Sequence, residues 1–368
     1  MLQRFYADNF RCLVNFEVKL GGIQLLVGDN GSGKSSFLDA LDAIRELVID
    51  AVPCAKSFGR KTRTRWQEME LQHFELDFAC GPAQLFSYRL TIADSFEHQP
   101  RVASEALDLN GTSLFRFEGG EMQLFSDAQP GVPKVKFHRD WHRSGLAEVA
   151  PRPENQSLTS FKGWLERLRP VQINPWEMSE RSEAEAPYPS RRLGNLADWY
   201  RHLQQENHEI VAAAIESLRE ALPGFWSLNA RKAGLDYREV LATMQGPSGN
   251  EFEVTLRELS EGQRCVIGLY LLLHAVLARG GSLIIDEPEN FIALAEIQPW
   301  LMRAIGVAED RAGQLVVVSH HPELLNQLAA RGGLMLTREH GGPTRVKPFP
   351  ESELPPAELV ARGWEKDA

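Results

Sequence analysis

Apolar and polar positions alternate through the first 28 residues in three short runs, Leu2 to Phe10, Val14 to Leu20 and Ile23 to Gly28, and each run reads as a strand. From Lys34 to Asp50 the period lengthens. Phe37, Leu41, Ile44 and Val48 recur at helical spacing, with Asp39, Asp42 and Glu46 elsewhere, which predicts an amphipathic helix packed on a sheet. Short alternating runs return at Leu71 to Phe78, Leu85 to Ile92 and Leu107 to Phe117, separated by turn signals at Gly81-Pro82, Asp94-Ser95 and Asn110-Gly111. They predict an antiparallel β region. Gly119 to Pro153 is rich in Gly, Pro and charge without a period, and is expected to be a long loop or mobile insertion.

Helices are expected over Leu158 to Leu168 and Leu196 to Leu222, the second closed by Pro223-Gly224. Helix and strand then take turns: Glu261 to Arg279 helix, Ser282 to Asp286 strand, Ala293 to Ala308 helix, Leu315 to Ser319 strand, Pro322 to Ala330 helix, Leu334 to Thr337 strand. Uniformly apolar strands in strict alternation with helices indicate a parallel sheet covered on both faces. The fold class is therefore α/β, a mostly parallel sheet with an antiparallel β subregion and a helical lobe. The expected divisions are 1–155 and 259–345 for the two parts of the core, 156–258 for the helical lobe with linking strands, and 346–368 for a tail. No repeat and no long heptad run is present.

Composition narrows the class further. The chain has 368 residues, 40 Lys plus Arg against 50 Asp plus Glu, and a formal net charge of −10. The surface is thus not basic overall, and any nucleic-acid contact needs a local patch. The longest apolar stretch, Cys265 to Ala278, carries Gly268 and His274 and falls short of the roughly 20 residues that cross a bilayer. Cys12, Cys54, Cys80 and Cys265 form no Cys-x-x-Cys pair and suit free thiols. A cytoplasmic protein without a membrane partner is expected.

Gly28-Asp29-Asn30-Gly31-Ser32-Gly33-Lys34-Ser35 fits G-x-x-x-x-G-K-[ST] and lies between an apolar strand and an amphipathic helix, where a phosphate loop belongs. Its backbone N–H groups can turn onto phosphates, the helix N-terminus adds partial positive charge, Lys34 neutralises β and γ oxygens, and Ser35 offers a hydroxyl to Mg²⁺. Ser36 follows. Ser282 to Asp286 is an apolar strand that delivers Asp286 to a sheet edge, as an Mg²⁺ ligand, with Glu287 beside it to polarise a water. Ser260 is a good N-cap for the apolar helix behind it; a capping role and an anion site at that helix terminus both remain open. His320-His321 after Leu315 to Ser319 reads as a capping pair or as an imidazole at the same edge as Asp286.

The ordered set of phosphate loop, Leu259-Ser260-Glu261-Gly262-Gln263, Asp286-Glu287-Pro288 after an apolar strand, and Ser319-His320 after a Val-rich strand resembles the ABC-type ATPases. The opening Asn9-Phe10-Arg11 is similar to their SMC and RecF branch. The likeness covers about residues 1–50 and 255–340. It implies ATP and Mg²⁺ as cofactors and a head-to-tail homodimer, with scope for larger assemblies, in which Ser260, Gly262 and Gln263 meet the γ-phosphate held by the other subunit. It also implies that His320 is a switch histidine and that Asn290 to Ala293 crosses the interface. Gln172, with Asn174 as the other candidate, would be the glutamine-loop ligand of Mg²⁺. Arg11 could reach the nucleotide or be a solvated arginine between strands.

Only about 225 residues separate Lys34 from Ser260 and none form heptads, so a long coiled-coil arm is excluded. What remains resembles compact ATPases related to RecF and the OLD group, many of which accompany a separate nuclease or toxin effector in anti-phage cassettes. A RecF-like repair ATPase is the rival, since Arg60 to Arg65 beside Trp66 suits DNA or RNA as well as a plain charged edge. His138 and His142 lack the further ligands a metal needs.

Overall fold

The computed structural model describes residues 1–81, 83–94, 99–138, 140–350, 352 and 354–362, without the side chains of 129–137. The turn signals at Gly81-Pro82 and Asp94-Ser95, and residues 351, 353 and 363–368 of the tail, thus lie partly or wholly outside the described residues. The chain forms two compact units, Met1–Leu168 with Leu328–Ala368, and Arg169–Gln327.

In the first unit, strands β1 (Leu2–Asp8), β2 (Phe16–Lys19) and β3 (Ile23–Val27) lead into helix α1 (Lys34–Val48), and a single helical turn, α2, covers Cys54–Ser57. β1 pairs antiparallel with β2, Phe5 opposite Val18 and Ala7 opposite Phe16, so alternate residues face one way. Phe37 of α1 packs edge-on to Phe5 with centroids 5.3 Å apart and lies 6.3 Å from Phe16. All four apolar positions that set the helical period are buried, and each aromatic of this kind stabilises by roughly 1.5–3 kcal/mol through burial.

β1 and β2 belong to an antiparallel sheet of eight strands, ordered β2-β1-β4-β5-β6-β7-β8-β9, with β4 Leu71–Cys80, β5 Gln84–Ala93, β6 Arg101–Leu109, β7 Thr112–Glu118, β8 Glu121–Ser126 and β9 Gln129–His138. β6 and β7 divide the run Leu107 to Phe117 at the Asn110-Gly111 turn, where both residues have positive φ. β8 and β9 correct the expectation of a long loop over 119–153. Their pairing is antiparallel, with register shifts beside Phe125 opposite Pro133, and such irregular pairing erases the period-2 signal that sequence reading relies on. Phe161 of α3 (Gln156–Glu166) packs among Phe78, Phe86 and Tyr88, covering this sheet. The unit is completed from the far end of the chain. β17 (Gly333–Thr337) runs parallel to β3 with Leu334 opposite Leu26, and β18 (Arg345–Pro348) runs antiparallel to β17. The tail also carries a short helix, α9 (Pro356–Ala361).

The second unit contains β10 (Leu168–Val171), β15 (Ser282–Asp286) and β16 (Gln314–Val318) in that order, β15 and β16 parallel and wholly buried. A second, antiparallel sheet joins β11 (Arg181–Ser182), β12 (Phe225–Lys232), β13 (Arg238–Gln245) and β14 (Glu251–Thr255). The helical segment expected over 196–222 is two helices, α4 (Leu196–Glu206) and α5 (His208–Ala221), parted at Asn207, the N-cap of the second. Helix α6 (Glu261–Ala275) is apolar nearly all round and buried from Cys265 to Leu273. Helix α7 (Leu294–Asp310) docks on it through Trp300, whose indole N–H donates to Leu269 O at 3.1 Å. Helix α8 (Pro322–Gly332) leads back into the first unit.

Candidate functional site

The phosphate loop, residues 28–35, joins β3 to α1 in a conformation that its glycines allow. Gly28 and Gly33 have φ of 157° and 108°; a Cβ on the first would run into Leu336 O and one on the second into the Thr344 hydroxyl. The walls come from the β17–β18 segment. Thr344 Oγ1 donates to Ser32 O at 2.8 Å and Thr344 N donates to Cys12 O at 2.9 Å. Lys34 is 7% exposed, its ammonium donating to Gly28 O and, at 3.1 Å, to Asp29 O, while Ser32 N donates to Asp29 O at 3.0 Å. Ser32 Oγ is buried without a hydrogen-bond partner among the described residues. Asp29, Asn30, Gly31 and Ser35 are exposed; Ser36 is half-buried, 3.4 Å from the Cys12 thiol. A cleft of about 700 Å³ borders Asp29 to Ser32 and residues 336–341.

Arg11, at φ 52°, forms an ion pair with Asp39 of α1, and burial lowers its pKa. Arg338 donates to Gly341 O at 2.5 Å, to Gly342 O at 2.6 Å and to Gly31 O at 3.4 Å, while its guanidinium lies 5.3 Å from the Trp66 ring centre. Sequence reading missed Leu336, Arg338 and Thr344. No local signal marks them, because their importance comes from contacts some 300 residues away along the chain.

The acidic group sits in the second unit. β15 delivers Asp286 with 4% exposure, and Gln172 Nε2 donates to its Oδ2 at 3.2 Å. Of the two glutamine-loop candidates, Asn174 is committed to its own turn, accepting from Trp176 N at 3.1 Å and donating to Glu177 at 2.9 Å. Glu287 has φ 48°, its N–H donates to Val318 O at 2.7 Å, and Asn290 Nδ2 donates to its carboxylate at 2.8 Å. The backbone is therefore pinned to β16 while the carboxylate is aimed by a neighbour.

Glu289, also missed, is mostly buried. Ser319 Oγ donates to one of its oxygens at 2.5 Å, the other has no hydrogen-bond partner among the described residues, and burial raises its pKa. The adjacent Asp-Glu-Pro-Glu-Asn run could have pointed to it. Of the two histidines, His321 caps α8, its Nδ1 accepting from Glu323 N at 3.3 Å; His320 is half-buried beside it and takes no part in that cap.

Ser260 forms a reciprocal cap with Gln263: Gln263 N donates to Ser260 Oγ at 3.2 Å and Ser260 N donates to Gln263 Oε1 at 3.0 Å. Ser260 and Glu261 are exposed. A Cβ on Gly262 would lie 2.8 Å from Phe291 O, so glycine there also admits the backbone of the loop 289–293. Phe291 has φ 69°, is 51% exposed and meets Trp176, 70% exposed, with ring centres 6.4 Å apart.

Comparison with known proteins agrees with this architecture. Residues 137–326 match the family described as "AAA domain, putative AbiEii toxin, Type IV TA system", and residues 1–81 match "AAA ATPase domain". A curated relative, the OLD nuclease of Thermus scotoductus, is 23% identical over 364 residues, covering 92% of this chain. The chain spans 62% of that relative's length. Among solved structures, an SMC head bound to the C-winged helix domain of ScpA superposes with a TM-score of 0.55 at 12% identity, covering 94% of this chain and 96% of that one. The Pyrococcus furiosus Smc head with an extended coiled coil, bound to the C-terminal domain of ScpA, gives 0.52 at 11% identity, covering 100% of this chain and 99% of that one. With more than half its length matched by that model and a phosphate loop in place, the chain belongs to this AAA domain family as a P-loop ATPase, and its fold is that of the SMC heads.

Proposed function

We propose that this ATPase closes as a homodimer around ATP-Mg²⁺ and thereby controls a separate effector protein in anti-phage defence. The observation that carries the nucleotide part is the phosphate loop: a glycine cradle whose Cβ positions are sterically forbidden, a buried ammonium, and a buried Ser32 hydroxyl left without a partner. These features fit a polyphosphate. For the metal, each unit offers hard oxygen: the Ser35 hydroxyl in the first, and in the second the Asp286 carboxylate with the Gln172 amide oxygen, left available because its nitrogen is spent on Asp286. When bound, Mg²⁺ would neutralise phosphate charge.

In this reading Lys34 and the N–H groups of residues 29–35 bind and orient the triphosphate, with Arg11 next to them. Glu287, aimed by Asn290, takes the proton from the attacking water at its carboxylate oxygen. His320 is the switch residue that senses the γ-phosphate. Ser260 and Gln263 spend their backbone N–H groups on each other in capping the exposed start of α6, so nucleotide held by the other copy would be met by the Ser260 hydroxyl proton, the Gln263 amide and the Gly262 N–H in the first turn. The family's toxin-antitoxin description and the named nuclease relative support effector control. RecF-like action on DNA is the second reading, favoured by exposed Lys61, Arg65 and Trp66.

Glu287→Gln tests the catalytic assignment: ATP binding should persist while turnover stops and closed dimers accumulate in size-exclusion chromatography. Wild-type turnover in that variant removes Glu287 as the base.

A further inference from the structure

We propose that Glu289 is a positioning residue for hydrolysis: through Ser319 it ties the loop that carries Glu287 to the loop that carries His320, so that the two take up one position together. This assignment rests on the roles given to Glu287 and His320 above.

The tie follows from where the strands stop. β15 and β16 run parallel with Asp286 opposite Val318, and the Glu287 N–H adds one more bond, to Val318 O at 2.7 Å. Glu287 then turns the chain, at φ 48°, with Asn290 N donating to Glu287 O at 3.1 Å. From here a side chain takes over from the ladder. Ser319 Oγ, on a residue with 0% exposure, donates to Glu289 Oε1 at 2.5 Å and accepts from His321 N at 2.9 Å. One hydroxyl thus holds the carboxylate of the first loop and the backbone of the second, and His320 is the residue enclosed between Ser319 and His321. The second loop is anchored further on: His321 Nδ1 accepts from Glu323 N at 3.3 Å, and Glu323 Oε1 accepts from Gln298 Nε2 of α7 at 2.9 Å. The loop 289–293 leads straight into α7, so these contacts form a ring that starts and ends on one segment.

The choice of side chain separates positioning from packing. Glu289 is mostly buried, and its Oε2 has no hydrogen-bond partner among the described residues, a desolvation cost that an uncharged residue would avoid. What the carboxylate provides is a firm acceptor: O–H···O⁻ bonds are roughly twice as strong as neutral ones, and this one is short. Stability is lost and rigidity gained, as at sites that must hold a geometry.

The test is steady-state ATP hydrolysis, with thermal melting alongside, by the full chain and its Glu289→Ala, Glu289→Gln, Ser319→Ala, Glu287→Gln and combined Glu289→Ala/Ser319→Ala variants. Glu289→Ala and Ser319→Ala are each expected to lower kcat about tenfold or more, within what a misplaced catalytic group costs, while the KM for ATP moves less than about threefold. The combined variant should fall no further than the lower single one, because both changes remove the same bond. Glu289→Gln keeps an acceptor for Ser319 and should recover most of kcat, and neither Glu289 variant should melt more than about 2 °C below wild type. Wild-type kcat in Glu289→Ala, losses that multiply in the combined variant, or a fall in Glu289→Gln as deep as in Glu289→Ala overturns the proposal. So does a loss of kcat joined to an equal rise in KM and a lower melting temperature, the pattern of a contact that only supports the fold. Wild-type turnover in Glu287→Gln overturns the assignment of the base and this proposal with it, whereas lost turnover there beside an unaffected Glu289→Ala leaves that assignment standing.

Discussion

Replacing Lys34 by methionine keeps an apolar stem of similar length and removes an ammonium that is 7% exposed and donates to Gly28 O and Asp29 O. Hydrogen bonds from a charged group contribute roughly 1.5–3 kcal/mol each, and relief of the buried charge returns several kcal/mol, so the net loss should be about 1–2 kcal/mol. A chain this long shifts by about 2 °C per kcal/mol, so the nucleotide-free variant should melt about 2–4 °C below wild type. Nucleotide at a hundred times its Kd stabilises wild type by about 2.7 kcal/mol, or roughly 5 °C, and the variant should gain nothing. Differential scanning fluorimetry with and without ATP-Mg²⁺ measures both quantities. Equal nucleotide shifts in the two proteins would refute the assignment of Lys34 as a phosphate ligand. Unchanged stability without nucleotide would refute its role as a strut within the loop.

Two further tests address the second unit. Burial first, and the positive charge of Arg303 second, lower the pKa of His274 to about 4, its Nε2 lying 2.8 Å from Ser217 Oγ. Because the folded pKa lies below the unfolded value, both states are neutral above pH 6.5 and stability is lost as pH falls from 6.5 towards 4; the full linkage of about 3.4 kcal/mol, roughly halved because the ring is partly exposed, predicts a loss near 1.5 kcal/mol. Urea midpoints of wild type and His274→Gln across that range should converge on acidification, and parallel curves would contradict the assignment. Gly262→Ala gains about 1 kcal/mol of helix propensity but drives a methyl to 2.8 Å from Phe291 O, which should cost about 1–3 kcal/mol and displace the loop 289–293. A variant more stable than wild type by the full propensity gain would show that the contact is not tight.

The parts of the site that could be read in the sequence are those whose chemistry is local. Gly28 to Ser35 carries its conformation and its charge in eight consecutive residues, and Ser260 with Gln263 makes its cap over one turn. β15 and β16 were legible because parallel, doubly covered strands tolerate no polar interruption. The exact partner of Asp286 was not legible: Gln172 and Asn174 share a loop and a chemistry, and only the turn that consumes Asn174 separates them. β8 and β9 escaped notice because bulges beside Phe125 break the alternation. The division between α4 and α5 was visible in principle, as Asn207 is a strong capping residue, but continuous apolar spacing on both sides masked it.

The first unit is discontinuous, and that has a consequence for how the protein is made. Thr344 is 312 residues from Ser32 and Arg338 is 307 from Gly31. On the ribosome, the glycine cradle emerges early and must wait, unwalled, while the whole of 169–327 is translated as a contiguous stretch able to fold first. Nascent chains stalled before residue 344 should therefore lack nucleotide protection against proteolysis, and competence should arrive abruptly once residues 333–348 clear the exit tunnel.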